Sequence, residues 1–180
     1  MRRRSLFAVA LVCFAACNPR NPQASSATAT PNPQAPATGI PLTVTGNGSD
    51  RRPIRFVEQK NNRRYYELTA KSFQSKGAPG SVLSVFYQTS ISFHAKDGQL
   101  LNATAPTAVV DQSTDTVTLS GGVHATNAAG MTLSCDTLTY DRKTEMVHGF
   151  GHVVIDNPNG FHGTGSRFAS DVSLTHSTMQ

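Results

Sequence analysis

The sequence predicts an all-β fold of stacked antiparallel strands with a repeat of about 30 residues, and three observations carry this prediction. Residues recur at a thirty-residue interval in the C-terminal half, apolar and polar residues alternate along several segments, and turns that begin with Asn and end with Gly separate those segments. A fixed period of this size is typical of proteins that stack copies of one supersecondary unit, because a single unit cannot bury its own apolar face. Between residues 40 and 180 we find no ten-residue stretch with the apolar spacing of a helix.

The first 16 residues predict a secretory signal peptide. Three arginines at positions 2–4 precede an apolar run over residues 6–16, which is shorter than the roughly 20 residues that a membrane span needs. Small residues stand directly before Cys17, as in the bacterial lipobox, and this predicts that Cys17 is acylated and becomes the new N-terminus. An ordinary signal peptide cut nearby and an uncleaved signal anchor are the alternatives. Each of these predictions places the mature protein outside the cytoplasm.

The next two segments are predicted to precede the folded domain. Residues 17–40 read as a disordered, lipidated linker, because Pro, Ala, Ser, Thr, Gln and Asn cannot bury enough apolar surface to fold. Residues 41–62 are expected to be a poorly ordered basic lead-in, with contact to lipid head groups or phosphates as the alternative. We expect the folded domain to span residues 63–180. The arginines of the lead-in and of the domain's first residues are Arg51, Arg52, Arg55, Arg63 and Arg64.

The repeat is visible as identical residues thirty positions apart. Its register extends backward to Tyr87, Phe93 and Asp97, so we expect at least three units. The matching sets are Asp111, Asp141 and Asp171; Val117 and Val147; Gly121 and Gly151; Val123 and Val153; Asn127 and Asn157; and Gly130 and Gly160.

Alternation of residue types predicts the strands of one unit. Apolar or small residues occupy every second position from 117 to 125 and again from 147 to 155. Period two is typical of a strand with one buried face, so we expect the odd-numbered residues to face inward. Glycines inside strands favour bends, bulges or close backbone approach, which predicts a strongly curved sheet. They are Gly121, Gly149, Gly151, Gly163 and Gly165.

Two short segments predict hairpin reversals. Asn127–Gly130 and Asn157–Gly160 carry the residues that tolerate turn conformations. Second strands are expected to follow at 131–140 and 161–169. Their predicted inward residues are Met131, Leu133, Cys135, Phe161, Gly163 and Gly165.

Composition and charge narrow the classes of function. The 180-residue chain has a net charge of +5, but removing residues 1–16 takes away three arginines and leaves 13 basic against 11 acidic residues, about +2. The basic balance therefore belongs mostly to the signal peptide, and nucleic acid is not an expected partner of a secreted protein. With Cys13 removed and Cys17 acylated, Cys135 is the single cysteine left in the domain, so no intramolecular disulfide is expected.

The sequence predicts no catalytic residue, no metal site and no cofactor. His148 and His152 share a strand face, but four residues span roughly 13 Å, too far for a single ion. All six histidines stand at even positions, which we expect to be exposed. Cys135 has the inward parity and predicts a buried, inert thiol. The sequence carries neither a Gly-rich phosphate loop nor a nucleophile elbow, so an enzyme is not expected.

Several segments together resemble the LptC family of lipopolysaccharide-export proteins, which shares its repeat with LptA and the N-terminal part of LptD. The resemblance covers about residues 63 to 175. Its central segments are LLNATA at 100–105, TVTLSGGV at 116–123, GMTLSCDTLTY at 130–140, GFGHVVI at 149–155 and GFHGTG at 160–165. Its opening hairpin is matched by YELTA at 66–70, LSVFY at 83–87 and KDG at 96–98.

The resemblance implies a twisted, partly open β-jellyroll whose two walls enclose the acyl chains of lipopolysaccharide. The expected partners are lipopolysaccharide, the permeases of an inner-membrane ABC transporter, and an LptA-like bridge protein that pairs edge strands with this chain. An interior rich in Gly, Ala and Val agrees with such a groove, although the same residues would fill the core of any β-sandwich. The predicted groove residues are Phe93, Val117, Leu119, Val123, Leu133, Val147, Val153 and Ile155.

The membrane anchor is one departure from the family pattern. The best known members use a transmembrane helix, whereas Cys17 predicts a lipid anchor on the periplasmic side of the inner membrane, with the outer membrane as the alternative. Two rival functions stay open at this stage. One is a structural β-solenoid of the adhesin or scaffold type, and the other is a saccharide-acting solenoid, which the absence of Trp and the scarcity of acidic residues disfavour.

Overall fold

The structure is a computed structural model that describes residues 42–78 and 80–180. The predicted signal peptide, the lipidated Cys17 and the linker lie outside the described residues. Eleven strands and no helix make up the described part. They are β1 Leu42–Asn47, β2 Ile54–Lys60, β3 Arg63–Ala70, β4 Ser72–Ala78, β5 Ser81–His94, β6 Leu100–Asp111, β7 Thr116–Asn127, β8 Thr132–Asp141, β9 Met146–Asp156, β10 His162–Asp171 and β11 Ser177–Met179.

All eleven strands belong to one antiparallel sheet, which confirms the predicted fold class. From β4 the order follows the chain to β11, and β1 pairs with β4 at one edge. The sheet branches at β5, because β4 pairs with residues 81–87 and β3 with residues 90–93 of the same edge. Strand β2 then pairs with β3. A parallel β-solenoid would need parallel ladders, so this topology argues against that rival.

Each long strand from β5 to β10 is interrupted near its middle. In β5 Gln88 has φ 51°, and the ladders between β6 and β10 shift register at a matching height. In β7 the interruption is Gly121-Gly122, with φ 94° and 93°, a backbone conformation that favours glycine. Bulges of this kind bend a strand sharply. Because they align across the sheet, the whole sheet folds along one line.

The fold line divides the sheet into two facing walls. The first wall consists of residues 54–60, 63–70, 89–94, 100–105, 123–127, 132–135, 152–156 and 162–165. The second wall consists of residues 42–47, 72–78, 81–87, 107–111, 116–120, 137–141, 146–150, 167–171 and 177–179. Their inward side chains meet in one hydrophobic cluster, which makes the fold a twisted β-jellyroll.

The predicted odd parity holds in some strands and fails beyond the bulges of others. In β7 and β9 the inward positions on either side of the bulge are four positions apart in the sequence, so odd residues stay buried in both walls. In β8 Leu138 is three positions after Cys135, and burial continues at even positions. In β10 the same shift buries Phe168. A single parity therefore missed half of the inward residues in these strands.

Two further expectations differ from the structure. Where the lead-in was expected to be poorly ordered, residues 42–62 hold β1 and β2, and Ile54 and Phe56 are half-buried there while Arg55 and Val57 point outward. The apolar alternation of β2 was missed because arginines stand beside its apolar residues. Tyr87 was aligned with Val117, yet Tyr87 is exposed and Val117 buried. The thirty-residue repeat as a structural unit stays a prediction.

Candidate functional site

The candidate site is the apolar interior between the two walls. All eight predicted groove residues belong to its single hydrophobic cluster, and none is more than 4% exposed. Three of them, Val117, Leu119 and Val147, lie on the second wall, and the other five lie on the first. The bend of the sheet therefore brings together residues that are far apart along each strand.

Small side chains contribute much of the interior surface near the fold line. Ala103, Ala105 and Ala108 are buried on β6 on either side of its bulge, and Ala125 is buried on β7. A Cβ placed on Gly149 would lie 3.5 Å from Cys135 Sγ, so the two walls approach closely there.

An aromatic cluster occupies the interior near the opening strands. The ring of Tyr140 on the second wall lies 4.7 Å from that of Phe93 on the first wall, and 6.3 Å from that of Tyr66, measured between centroids. Phe56 joins the cluster, 5.8 Å from Phe86. Only Phe93 of these was predicted as a groove residue. The alternation of Leu138 and Tyr140 was the signal that could have revealed the second wall in β8.

Tyr140 carries a polar atom inside this cluster. Its ring is fully buried, and its hydroxyl is the buried side-chain oxygen without a hydrogen-bond partner among the described residues. Burial raises the pKa of Tyr140 well above its ordinary value, with a further contribution from Glu145, so the hydroxyl keeps its proton. In the part of the interior that the described residues form, this hydroxyl is thus a hydrogen-bond donor with no protein acceptor.

A set of ion pairs joins the rims of the two walls. Arg63 on the first wall donates two hydrogen bonds of 2.6 Å to Glu145, which lies in the turn after β8 on the second wall. Lys96 approaches the same carboxylate at 3.3 Å. The hydrogen bonds from Arg63 lower the pKa of Glu145 despite its partial burial. This rim clamp (Arg63, Lys96 and Glu145) holds the walls together outside the apolar cluster.

A second ion pair and a small cavity lie along the same rim. Arg142 pairs with Asp115, and the guanidinium carbons of Arg63 and Arg142 lie 4.7 and 5.4 Å from the ring centre of Tyr65. A cavity of about 260 Å³ opens here between Tyr66, Glu58 and Arg142. The charged groups are thus concentrated at the rim, and the interior below them is apolar.

Cysteine and histidine side chains are the groups that could act as a nucleophile or bind a metal ion. Cys135 is buried, and desolvation raises the pKa of its thiol to about 11, which keeps it protonated. His152 and His162 are exposed and contact Asp136 and Asp156 on neighbouring strands. Within residues 42–78 and 80–180 no group of three His, Cys, Asp or Glu side chains is placed to hold a metal ion. The described segments likewise contain no helix long and apolar enough to cross a membrane.

The folded sheet and the interior shared by its two walls define an open, twisted β-jellyroll. Residues 55–177 match the family model described as lipopolysaccharide-assembly, LptC-related, and the chain belongs to that family. As a member it is a non-enzymatic, periplasmic component of lipopolysaccharide transport, associated with the inner membrane. A search of curated proteins finds no match.

Proposed function

We propose that the protein receives lipopolysaccharide from an inner-membrane ABC transporter and relays it, with the acyl chains held between the two walls. The observation that best supports this is the shared interior, because side chains from both walls form one apolar cluster that extends from Phe56 on β2 to Met179 on β11. Apolar interiors between curved sheets are common sites for lipids.

Access for a lipid requires the interior to change. The eight proposed lipid-binding residues, Phe93, Val117, Leu119, Val123, Leu133, Val147, Val153 and Ile155, are covered in this structure. Acyl chains therefore enter by separating the walls or by displacing a covering segment. Because the buried alanines of β6 and β7 are small, separating the two walls would break fewer side-chain contacts there.

The hydroxyl of Tyr140 suits an ester or amide carbonyl of the lipid. A buried donor without a partner costs free energy in the empty protein, and a carbonyl brought by an acyl chain would satisfy it. Because Tyr140 lies beside the rim clamp, this places the carbonyls of the lipid near the rim and its hydrocarbon deeper inside.

Edge strands are the proposed contact surfaces for protein partners. At the N-terminal edge of the described sheet, β1 and β2 each pair with one described strand, and Leu42 and Val44 are exposed there. At the other edge, β11 covers residues 168–170 of β10, and residues 162–165 have no partner on that side in the described sheet. Strand addition at these edges would join the jellyroll to the transporter permeases on one side and to an LptA-like bridge protein on the other.

Membrane attachment through Cys17 is part of the proposal. Acylation there would hold the jellyroll at the periplasmic face of the inner membrane by a tether of about 25 residues. Cys17→Ala should move the protein from the membrane fraction to the soluble periplasm and abolish incorporation of labelled fatty acid. If the Cys17→Ala variant stays in the membrane fraction, the signal segment or protein partners attach the protein to the membrane instead.

Photocrosslinking in cells tests the transport role. Probes at Leu119, Val123 and Val153 face the interior, whereas controls at His124 and His152 face solvent. Lipopolysaccharide adducts at the three interior positions only are the expected result. A folded protein that forms no adduct at any interior position would instead favour a structural scaffold of the cell envelope.

A further inference from the structure

The segment that follows β10 covers the interior at its C-terminal end. Val172, Ser173 and Leu174 belong to the connection between β10 and β11, yet each is at most 6% exposed. Val172 and Leu174 are members of the hydrophobic cluster. Connections normally run over the surface, so this burial marks residues 172–179, here named the C-terminal strap, as part of the closure of the interior.

Polar contacts fix the strap across the two rims. Asn127 on the first wall donates from Nδ2 to the carbonyl oxygen of Ser173 at 2.9 Å, and the Ser173 hydroxyl donates to Asp97 at 3.4 Å. Leu174 has φ 61°, a conformation that a branched, bulky side chain rarely adopts. Strain of this kind persists only where surrounding contacts impose it, and it is common at segments that move.

The end of the strap fills a slot made by two glycines. Gly163 and Gly165 lie on the first wall, opposite Ile155 and Val153 in the ladder. A Cβ on Gly165 would lie 2.7 Å from Met179 Cγ, and a Cβ on Gly163 would lie 3.3 Å from Met179 Cε. Met179 stands on β11, next to Phe168 of the second wall, and its partly buried side chain lies over the glycines near the fold line, where Gln180 O would also lie 2.7 Å from a Cβ on Gly165.

We propose that the slot over Gly163 and Gly165 is an acyl-chain site, which Met179 occupies in the empty protein, and that the strap is displaced when lipid enters. The inference rests on the proposed transport function. The side chain of methionine is unbranched and flexible, so its width resembles that of a saturated hydrocarbon chain. Besides the contacts of Ser173, the strap is held at the sheet edge by a ladder of three residue pairs and by the backbone hydrogen bonds of the adjoining Gln180 to Arg167 and Ser166. This is a short edge element, which is expected to open locally before the rest of the sheet.

A reversible disulfide across the β10–β11 ladder tests the displacement. Ala169 and Thr178 are direct partners on the outward face, at a separation suited to a disulfide. The full-length chain carrying Cys135→Ala, Ala169→Cys and Thr178→Cys, with a photocrosslinking probe at Ile155, is expected to form at least fivefold fewer lipopolysaccharide adducts when oxidised. Addition of a membrane-permeable reductant should restore them.

A matched control places the disulfide between β9 and β10 and leaves the strap free. Val154 and Thr164 are direct partners on the outward face. Val154→Cys with Thr164→Cys, in the same background, should leave adducts at Ile155 unchanged on oxidation. If both pairs lower adduct formation equally, or if neither does, the displaceable strap is refuted.

Two further measurements separate the strap from the transport function. Met179→Ala empties the slot, so adducts at Ile155 should rise severalfold relative to those at a probe on Leu119. Unchanged adducts in this variant would overturn the acyl-chain site while the function stands. Absence of adducts at both Leu119 and Ile155 in every variant would instead refute the proposed function, and the strap with it.

Discussion

Replacing Tyr140 with Phe should stabilise the empty protein. The substitution keeps the ring contacts with Phe93 and Tyr66 and removes a buried hydroxyl that has no partner among the described residues. An unsatisfied buried hydroxyl costs about 1–3 kcal/mol. Part of this gain is offset by the small void left behind, so we expect a net increase of about 1 kcal/mol in the free energy of unfolding. For a folded part of this size that corresponds to a rise of about 3 °C in Tm.

Urea unfolding of the purified protein, followed by circular dichroism, measures this change directly. Tyr66→Phe is the control, because Tyr66 lines the cavity with Glu58 and Arg142, and its hydroxyl, unlike that of Tyr140, is not a buried atom without a partner. Removal of the Tyr66 hydroxyl should change stability by less than about 0.5 kcal/mol. If Tyr140→Phe lowers stability by about 1 kcal/mol, the hydroxyl has a bonded partner and the reasoning is wrong. The same variant should bind lipopolysaccharide about fivefold more weakly, because about 1 kcal/mol of hydrogen bonding to a lipid carbonyl is removed.

Three other substitutions test the interior, the rim and the strap. Leu119→Ala removes a fully buried side chain of the hydrophobic cluster that the two walls share, and it should lower the free energy of unfolding by about 2–5 kcal/mol in urea titrations. A loss below about 1 kcal/mol would mean that the walls do not pack against each other at Leu119. Glu145→Gln removes the charge shared by Arg63 and Lys96 and should cost about 1–2 kcal/mol at low salt but less at 1 M salt; an equal cost at both salt concentrations would contradict an electrostatic clamp. For Asp171, burial alone would raise the carboxyl pKa, but hydrogen bonds from Thr175 and His176 outweigh it and lower the pKa from 3.8 to about 2. The resulting stability, about 1–2 kcal/mol, is therefore present above pH 4 and lost as the pH falls toward 2. Asp171→Asn should lack this acid-dependent step, and a variant that keeps it would assign the step to another carboxylate.

The sequence predicted most of the strands and a curved sheet, but it missed β1 and β2 and the change of parity at several bulges. Alternation in β7 and β9 identified Val117, Leu119, Val123 and Val153 as inward, and the structure buries all four. These strands keep one parity across the fold line, so a simple period of two describes both halves.

The long strands β5, β6, β8 and β10 change parity at their bulges, and the alternation on one side of a bulge does not reveal where the bulge lies. Leu138, Tyr140 and Phe168 were therefore missed, although they line the second wall. The strap was also missed, since a connection rich in Ser and Thr reads as an exposed turn, and its burial comes from contacts with distant residues such as Asn127.

The aligned bulges have a mechanical consequence. Ladder hydrogen bonds run within each wall, and the register of the ladders is broken at the fold line. The bulges are therefore the places where the sheet can bend with the least disturbance of its ladders. A wall about five residues deep measures roughly 16 Å, so a bend of about 15° at the fold line would move its rim by about 4 Å.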